Sequence, residues 1–126
     1  MRKVIYTEKA PQAAGPYSQA IGTESFVFTA GQVGMDPVSG QLVDGGIQAQ
    51  TRQVMKNLSA VLEEAGTKFS RVVKATVFLA DINNFSAMNE VYATYFPTDP
   101  PARSAFQVAA LPLNAMVEIE MVALKG

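Results

Sequence analysis

The sequence predicts an α+β fold in which two helices pack on one face of a mostly antiparallel sheet. Apolar residues recur at three- and four-residue spacing from Ile47 to Ala65 and again from Phe85 to Phe96, which is the period of a buried helix face. Short runs rich in β-branched and aromatic residues lie before, between and after these two segments, as is typical of strands. The order strands, helix, strand, helix, strands favours a two-layer sandwich.

The N-terminal third is predicted to be extended. Val4 to Thr7 is a short first strand, and two further runs, Tyr17 to Ile21 and Phe26 to Ala30, flank the turn sequence Gly22 to Ser25, which indicates a hairpin. Residues Gly31 to Gly34 continue the second of these runs. Their glycines permit close backbone approach, so exposed amides could receive a ligand oxygen.

Helix signals and one further strand follow. The first helix is expected to end at Gly66, a typical residue just beyond a helix C-terminus, and Val72 to Leu79 is predicted to be a strand. A strand, a long helix and a returning strand favour a right-handed crossover. Asp81 to Asn84 offers capping residues for the second helix, which Pro97 stops. Asn89 lies off the apolar stripe of that helix, and local sequence favours ordinary surface there.

The C-terminal strands carry the best candidates for chemistry. Arg103 stands at the mouth of a strand introduced by two prolines, and Glu118 and Glu120 alternate with apolar residues in a second strand. An antiparallel hairpin through Leu111 to Asn114 would put all three charges on the sheet face that the helices leave open, with Glu118 about 13 Å along from Arg103. A guanidinium and a carboxylate so placed could bracket a small carboxylic acid; the alternative is a solvated charged face.

Two further features bear on a site. Tyr17 stands at a strand entrance as Arg103 does, and local sequence favours a ligand contact and a solvated edge aromatic about equally. The uncovered sheet face is expected to need burying, and self-association would do so while giving Arg103 and Glu118 a desolvated cleft between subunits. The apolar residues expected on that face are Val33, Ala105, Ala109 and Val122.

Composition excludes several kinds of chemistry. At 126 residues and 48% hydrophobic content the chain, residues 1–126, is expected to form one domain. It has no cysteine and no histidine, which excludes disulfides, thiolate nucleophiles, Cys/His zinc sites and histidine-dependent triads. The glycine motif at residues 31–34 lacks the spacing of a dinucleotide or phosphate loop, so no nucleotide cofactor is predicted.

Charge and hydropathy limit the kinds of partner that the chain is expected to have. The net charge of −1 gives no electrostatic footprint for nucleic acid. No apolar run approaches the roughly eighteen residues of a membrane span, and Glu8 interrupts the basic N-terminus before a signal-peptide core could form. We therefore expect a cytoplasmic protein with no membrane or nucleic-acid partner.

A set of short segments, individually weak, becomes specific when taken together. In chain order they are Ala10-Pro11, Gly15 to Ala20, Thr29 to Pro37, Val73 to Leu79, Asn89 to Tyr92, Pro101 to Ala105 and Val117 to Glu120. Together they resemble the reactive-intermediate deaminase family along nearly the whole chain. The resemblance implies a chorismate-mutase-like single domain that forms a homotrimer with clefts between subunits.

The resemblance also implies an activity. It is the hydrolytic deamination of 2-imino and 2-enamino acids, such as 2-aminoacrylate and 2-iminobutanoate, to 2-keto acids and ammonia. Pyridoxal-phosphate-dependent serine and threonine dehydratases release such compounds, so a functional link to them is implied without a required stable contact. The resemblance implies no metal and no cofactor.

The family's site residues map onto individual positions of this sequence. The resemblance implies that Arg103 binds the substrate carboxylate and that Glu118 orients the attacking water, with Glu120 left as a structural control. Many relatives have cysteine where this chain has Ala105, a difference that is expected to change the shape and polarity of the cleft and with them the substrate range. The implied substrate-binding residues are Tyr17, Gly31, Asn89 and Ala105.

Three other functions stay open on sequence alone. A non-catalytic trimer that senses 2-keto acids would need Arg103, but Glu118→Ala would spare its binding. Action on RNA is disfavoured by the acidic balance and by the lack of a basic, aromatic stripe. A holdase-like or purely structural role has no specific sequence mark.

Overall fold

The computed structural model describes residues 1–126 as two helices on one seven-stranded sheet. This confirms the α+β class and the mostly antiparallel sheet. No helix of the chain combines the length and the apolarity that crossing a membrane would require. In chain order the elements are β1 (Lys3–Ile5), β2 (Ala20–Gly22), β3 (Phe26–Thr29), β4 (Gln32–Val33), α1 (Gly46–Glu64), β5 (Val72–Leu79), α2 (Phe85–Ala93), β6 (Ala102–Gln107) and β7 (Val117–Leu124).

The sheet has the strand order β1-β2-β3-β7-β5-β6, and β4 pairs with β7 beyond the end of β3. All pairs are antiparallel except β5 with β6. The predicted hairpin of β2 and β3 is confirmed, with Ala20 opposite Thr29. Because β4 and β5 both run antiparallel to β7, they are parallel to each other, and the connection through α1 spans the strand between them.

Helix α1 begins and ends close to its predicted bounds. Its buried face is the apolar stripe seen in the sequence. Beyond its last residue, Gly66 has a positive φ of 82° and donates its N–H to the carbonyl of Glu63 at 3.0 Å, while Thr67 donates to Leu62 at 2.9 Å. These two bonds form the left-handed C-terminal motif that glycine favours at this position.

Helix α2 is shorter than its apolar pattern suggested. It ends at Ala93, and the turn beyond it tightens to three-residue hydrogen bonds, with Tyr95 donating to Tyr92 and Phe96 to Ala93. The stripe nevertheless continues because Phe96 remains buried against the core. Asp81 caps the short turn before the helix by accepting from the N–H of Asn83 at 2.9 Å.

The predicted hairpin between the last two strands is wrong. Strand β6 pairs in parallel with β5, with Ala75 beside Arg103, and β7 lies on the other side of β5, with Ala75 beside Met121. The cause is α2, which returns the chain across the sheet so that β6 runs in the same direction as β5. The edges of β7 are already occupied by β5 on one side and by β3 and β4 on the other.

The predicted sharing of one face by Arg103, Glu118 and Glu120 is also wrong. Arg103 lies level with buried Ala75 and therefore points to the helix-covered face, whereas Glu118 and Glu120 lie level with Phe78 and Thr76 on the open face. The register separates the Cα atoms of Arg103 and Glu118 by two strand spacings and three residues, about 14 Å. Alternation predicts which residues within one strand share a face, but not which of the two faces of each strand the helices cover.

The open face of the sheet is more aromatic than predicted. Val33 and Val122 lie on it as expected, but Ala105 lies on the helix-covered face beside Val77, and Ala109 falls outside the strands. Its large, solvent-exposed apolar side chains are Val4, Phe26, Phe28, Phe106 and Leu124. We call this surface the open sheet face.

Candidate active site

One pocket collects three of the predicted site residues. It has a volume of about 500 Å³, and Tyr17, Gly31 and Glu118 all line it. Glu118 comes from the middle of β7, Gly31 from the break between β3 and β4, and Tyr17 from the loop that leads into β2. Leu113 forms part of the wall from a loop in which it adopts a left-handed conformation, with φ of 60°. We call this the glutamate pocket.

Gly31 and Glu118 are fitted closely together. A Cβ placed on Gly31 would overlap the carboxylate of Glu118, which occupies the space that a side chain would take. Only glycine lets the carboxylate lie in this position without displacement. Glu118 is half-buried, and this burial, reinforced by the negative charge of Glu120, raises the pKa of its carboxyl above the usual glutamate value.

Tyr17 is held in a short, tightly turned loop. Its N–H donates to the carbonyl of Gly15 at 2.8 Å, and its hydroxyl accepts a long hydrogen bond of 3.4 Å from the N–H of Ala14. The side chain is 53% exposed, so it forms a solvent-accessible wall of the pocket.

Gln19 anchors that loop and was missed by the sequence reasoning. It is 3% exposed and lines the glutamate pocket. Its side-chain oxygen accepts from the N–H of Thr7 at 2.7 Å, and its amide nitrogen donates to the carbonyls of Thr7 at 3.0 Å and Pro11 at 2.8 Å. A glutamine inside an extended run carries no sequence signal for such burial, because its partners are backbone groups that any residue possesses.

Arg103 lies in a second hollow of about 350 Å³, on the helix-covered side of the sheet. Its Nη1 donates to the Oδ1 of Asn89 at 2.7 Å. Its guanidinium carbon lies 4.8 Å from the ring centre of Tyr92 and 5.3 Å from that of Phe85, within the range of cation–π attraction. We call this the arginine hollow.

The structure therefore divides the predicted site in two. Tyr17, Gly31 and Glu118 meet in the glutamate pocket, and Arg103 meets Asn89 in the arginine hollow. Ala105 lines neither; it packs against the hydrophobic core two residues beyond Arg103. Asn89, for which local sequence favoured plain surface, is a direct partner of the arginine.

Phe85 and Tyr92 are contacts of Arg103 that sequence reasoning assigned only to the core. Their signal was present, since with Asn89 they follow the i, i+4, i+7 spacing of one helix face. The hydroxyl of Tyr92 is buried without a hydrogen-bond partner. Burial raises the pKa of Tyr92, and the positive charge of Arg103 offsets part of that rise.

Comparison with known proteins gives the class of this chain. Residues 7–125 match the family described as Endoribonuclease L-PSP, and the chain belongs to that family. This confirms the family resemblance inferred from the sequence.

Comparison with individual relatives gives more specific information than the family match. The chain is similar to the mouse protein named 2-iminobutanoate/2-iminopropanoate deaminase, with 54% identity over 126 residues, which is 100% of this chain and 93% of the mouse protein. Among solved structures it is similar to the yeast protein YEO7, with a TM-score of 0.97, 42% identity and 100% of both chains covered. It is also similar to TdcF of E. coli, solved with bound serine, with a TM-score of 0.94, 38% identity, and 98% of this chain and 99% of that chain covered.

Proposed function

We propose that this protein hydrolyses 2-imino and 2-enamino acids, such as 2-aminoacrylate and 2-iminobutanoate, to 2-keto acids and ammonia. The observation that carries the proposal is the half-buried carboxylate of Glu118, seated against Gly31 in a pocket sized for a small molecule. The name of the mouse relative, which matches the whole chain, supports the same reaction.

The proposed active unit is a homotrimer with the chorismate-mutase-like arrangement. Arg103 and Glu118 lie on opposite faces of one sheet, about 14 Å apart by register, so one chain cannot bracket a small acid with both. Burying the open sheet face against neighbouring copies would remove its exposed aromatic surface from water. In this assembly the arginine hollow of one copy faces the glutamate pocket of the next.

In the proposed mechanism, Arg103 holds the substrate carboxylate by paired, charge-assisted hydrogen bonds. An enamine substrate first takes a proton at C3 and gives up one from its nitrogen, and so becomes the imine. Water held by Glu118 then adds to the imine carbon while Glu118 accepts a proton from it, and Glu118 passes that proton to the nitrogen to give the carbinolamine. Glu118 next takes the proton of the carbinolamine hydroxyl and delivers it to the nitrogen as the C–N bond breaks, which forms the carbonyl, expels ammonia and leaves Glu118 as a carboxylate.

The residues of the glutamate pocket suit this chemistry. An imine carbon is already electrophilic, so catalysis requires mainly a fixed substrate, a positioned water and a proton path. Burial makes the carboxylate of Glu118 a stronger base than an exposed one, which favours proton abstraction from water. Tyr17 and the backbone at Gly31 complete the wall around the reacting carbon.

The proposed role is control of metabolite damage in the cytoplasm. Pyridoxal-phosphate-dependent serine and threonine dehydratases would supply the substrates, because they release such enamines and imines. A diffusible substrate of this kind requires no stable contact between the two enzymes.

The test couples such a dehydratase to this protein and follows the decay of the transient imine absorbance. We expect faster decay with the wild type and loss of most of this acceleration with Arg103→Ala and Glu118→Ala. Arg103→Lys should lose only part of the acceleration, because it keeps the positive charge but not the planar guanidinium fork that pairs with a carboxylate. Glu120→Ala is the control and keeps most of the activity. Decay no faster than in buffer, with a folded trimer present, would overturn the proposal.

A second candidate is a trimeric sensor that binds 2-keto acids or related carboxylates without turnover. The solved relative with bound serine favours it, since that protein holds a small amino acid. Binding of 2-ketobutanoate by the wild type without any acceleration of imine decay would select this function. Action on RNA, which the family's description names, is disfavoured by the net charge of −1 and the absence of histidine.

A further inference from the structure

We propose that one face of α2 is a cradle that orients Arg103, and that Asn89 and Tyr92 act on the substrate through the arginine rather than by touching it. We call Phe85, Asn89 and Tyr92 the arginine cradle. The inference rests on the proposed function, since it assigns Arg103 the substrate carboxylate. It changes the role of Asn89 from substrate-binding residue to positioning residue.

The cradle holds the guanidinium through three contacts. Phe85, Asn89 and Tyr92 follow i, i+4, i+7 spacing, so their side chains lie along one face of α2, directly over the arginine. The two ring centres lie 5.3 and 4.8 Å from the guanidinium carbon, and the Asn89 oxygen lies 2.7 Å from Nη1. The rings limit where the guanidinium lies, and the amide limits its rotation.

The chemistry of the cradle leaves the arginine available to a ligand. All three partners are neutral, whereas an acidic partner would compete with an incoming carboxylate for the same charge. Asn89 engages one of the five N–H donors of the guanidinium, and the remaining donors can form a paired contact with a carboxylate. A fork that is already oriented loses less freedom when the substrate binds.

The strand opposite supplies the space for this arrangement. Ala75 is level with Arg103 on β5 and is fully buried, and its small side chain leaves room for the guanidinium between sheet and helix. The Tyr92 hydroxyl is buried without a partner, so the ring is the part of Tyr92 that the cradle uses. Phenylalanine should therefore replace tyrosine at this position, and leucine should not.

The test measures two quantities for each variant: KM and kcat in the coupled imine assay, and the dissociation constant for 2-ketobutanoate by calorimetry. Tyr92→Leu and Asn89→Ala should each raise KM and the dissociation constant about tenfold, with kcat changing less than about threefold, because carboxylate anchoring acts alike on the ground and transition states. Tyr92→Phe should restore the affinity that Tyr92→Leu loses. Glu90→Gln, an exposed change on the same helix, is the control.

Asn89→Asp separates positioning from a merely structural role. Aspartate keeps the accepting oxygen but adds a negative charge beside the guanidinium, so the melting temperature should not fall while the dissociation constant for 2-ketobutanoate rises at least about tenfold. A variant that keeps both its fold and its affinity would overturn the cradle.

A double-mutant cycle separates positioning from direct contact. In an Arg103→Lys background, where no fork remains to be oriented, Asn89→Ala should change the dissociation constant less than about twofold. An undiminished tenfold effect there would show that Asn89 touches the ligand itself and would overturn the inference. If the wild type binds 2-ketobutanoate but does not accelerate imine decay, the hydrolysis proposal fails alone, and the binding series still decides the cradle. If the wild type accelerates imine decay but does not bind 2-ketobutanoate, the hydrolysis proposal stands and the KM series decides the cradle; if it does neither, both fail.

Discussion

Gly31→Ala should remove most of the activity while leaving the fold nearly as stable. The added Cβ would lie 2.8 Å from the Cδ and 3.0 Å from the Cγ of Glu118, whereas such carbon atoms pack at about 3.5–4.0 Å, so the carboxylate must move by about 1 Å. A misplacement of that size costs on the order of 100-fold in rate, or about 2.7 kcal/mol of barrier.

The cost to folding is expected to be much smaller. Glu118 is the flexible partner in the clash and borders an open pocket into which it can swing. Gly31 does not have a positive φ, so alanine can adopt its backbone conformation. Alanine also lowers the entropy of the unfolded chain, which offsets roughly 0.4–1 kcal/mol of the loss in unfolding free energy. The free energy of unfolding should therefore change by less than about 1 kcal/mol.

Imine decay in the coupled assay and denaturant unfolding together check this prediction. Gly22→Ala is the matched control, because its Cβ would meet nothing closer than the Cδ1 of Ile5 at 3.9 Å, and it should keep both activity and stability. If Gly31→Ala retains more than half of the wild-type rate, the position of the Glu118 carboxylate is not what catalysis requires, and the reasoning is refuted.

Three further predictions concern the pocket and the open sheet face. Burial disfavours the charged form of Glu118 in the folded state and so raises its pKa. The contribution of this group to folding stability is therefore greatest at low pH and is lost as pH rises through the raised pKa, whereas activity should rise over the same interval. Glu118→Gln should thus unfold no more easily than wild type at pH 7 yet lose its rate, while Glu120→Gln keeps the rate; a large stability loss in Glu118→Gln would contradict this assignment. Gln19→Leu should cost about 2–4 kcal/mol in denaturant unfolding, because it leaves buried backbone groups unpaired, and a loss below about 0.5 kcal/mol would show that water replaces the amide. Phe28→Glu should break the proposed trimer, as measured by light scattering, and Val38→Glu, which alters a side chain 95% exposed outside the strands, should not; a Phe28→Glu trimer would exclude the open sheet face as the interface.

Local signals in the sequence predicted the elements well. The stop at Gly66 and the bounds of β5 follow from a left-handed glycine and from a run of β-branched residues, both of which act within a few positions. The inward positions of β7 were also predicted, because alternation along a strand requires no knowledge of its neighbours.

Strand pairing and the division of the site could not be predicted in the same way. Strands β6 and β7 are consecutive along the chain, which favours a hairpin, but the direction imposed by α2 puts β6 beside β5. Because β7 was wrongly predicted to be the neighbour of β6, the side of the sheet predicted for Arg103 is wrong as well. The hydrogen bonds of Asn89 and Gln19 join residues 14 and 12 positions apart in the sequence, so no local pattern predicts their partners.

The placement of Arg103 and Glu118 on opposite faces of one sheet has a consequence for inheritance of the activity. If each cleft takes its arginine from one copy and its glutamate from another, two inactive variants can rescue one another. Equal amounts of Arg103→Ala and Glu118→Ala, unfolded together and reassembled at random, should restore intact pairs in about a quarter of the clefts. Two damaged alleles in one cell would then supply working enzyme that neither supplies alone. Dilution below the concentration at which copies associate would inactivate even the wild type.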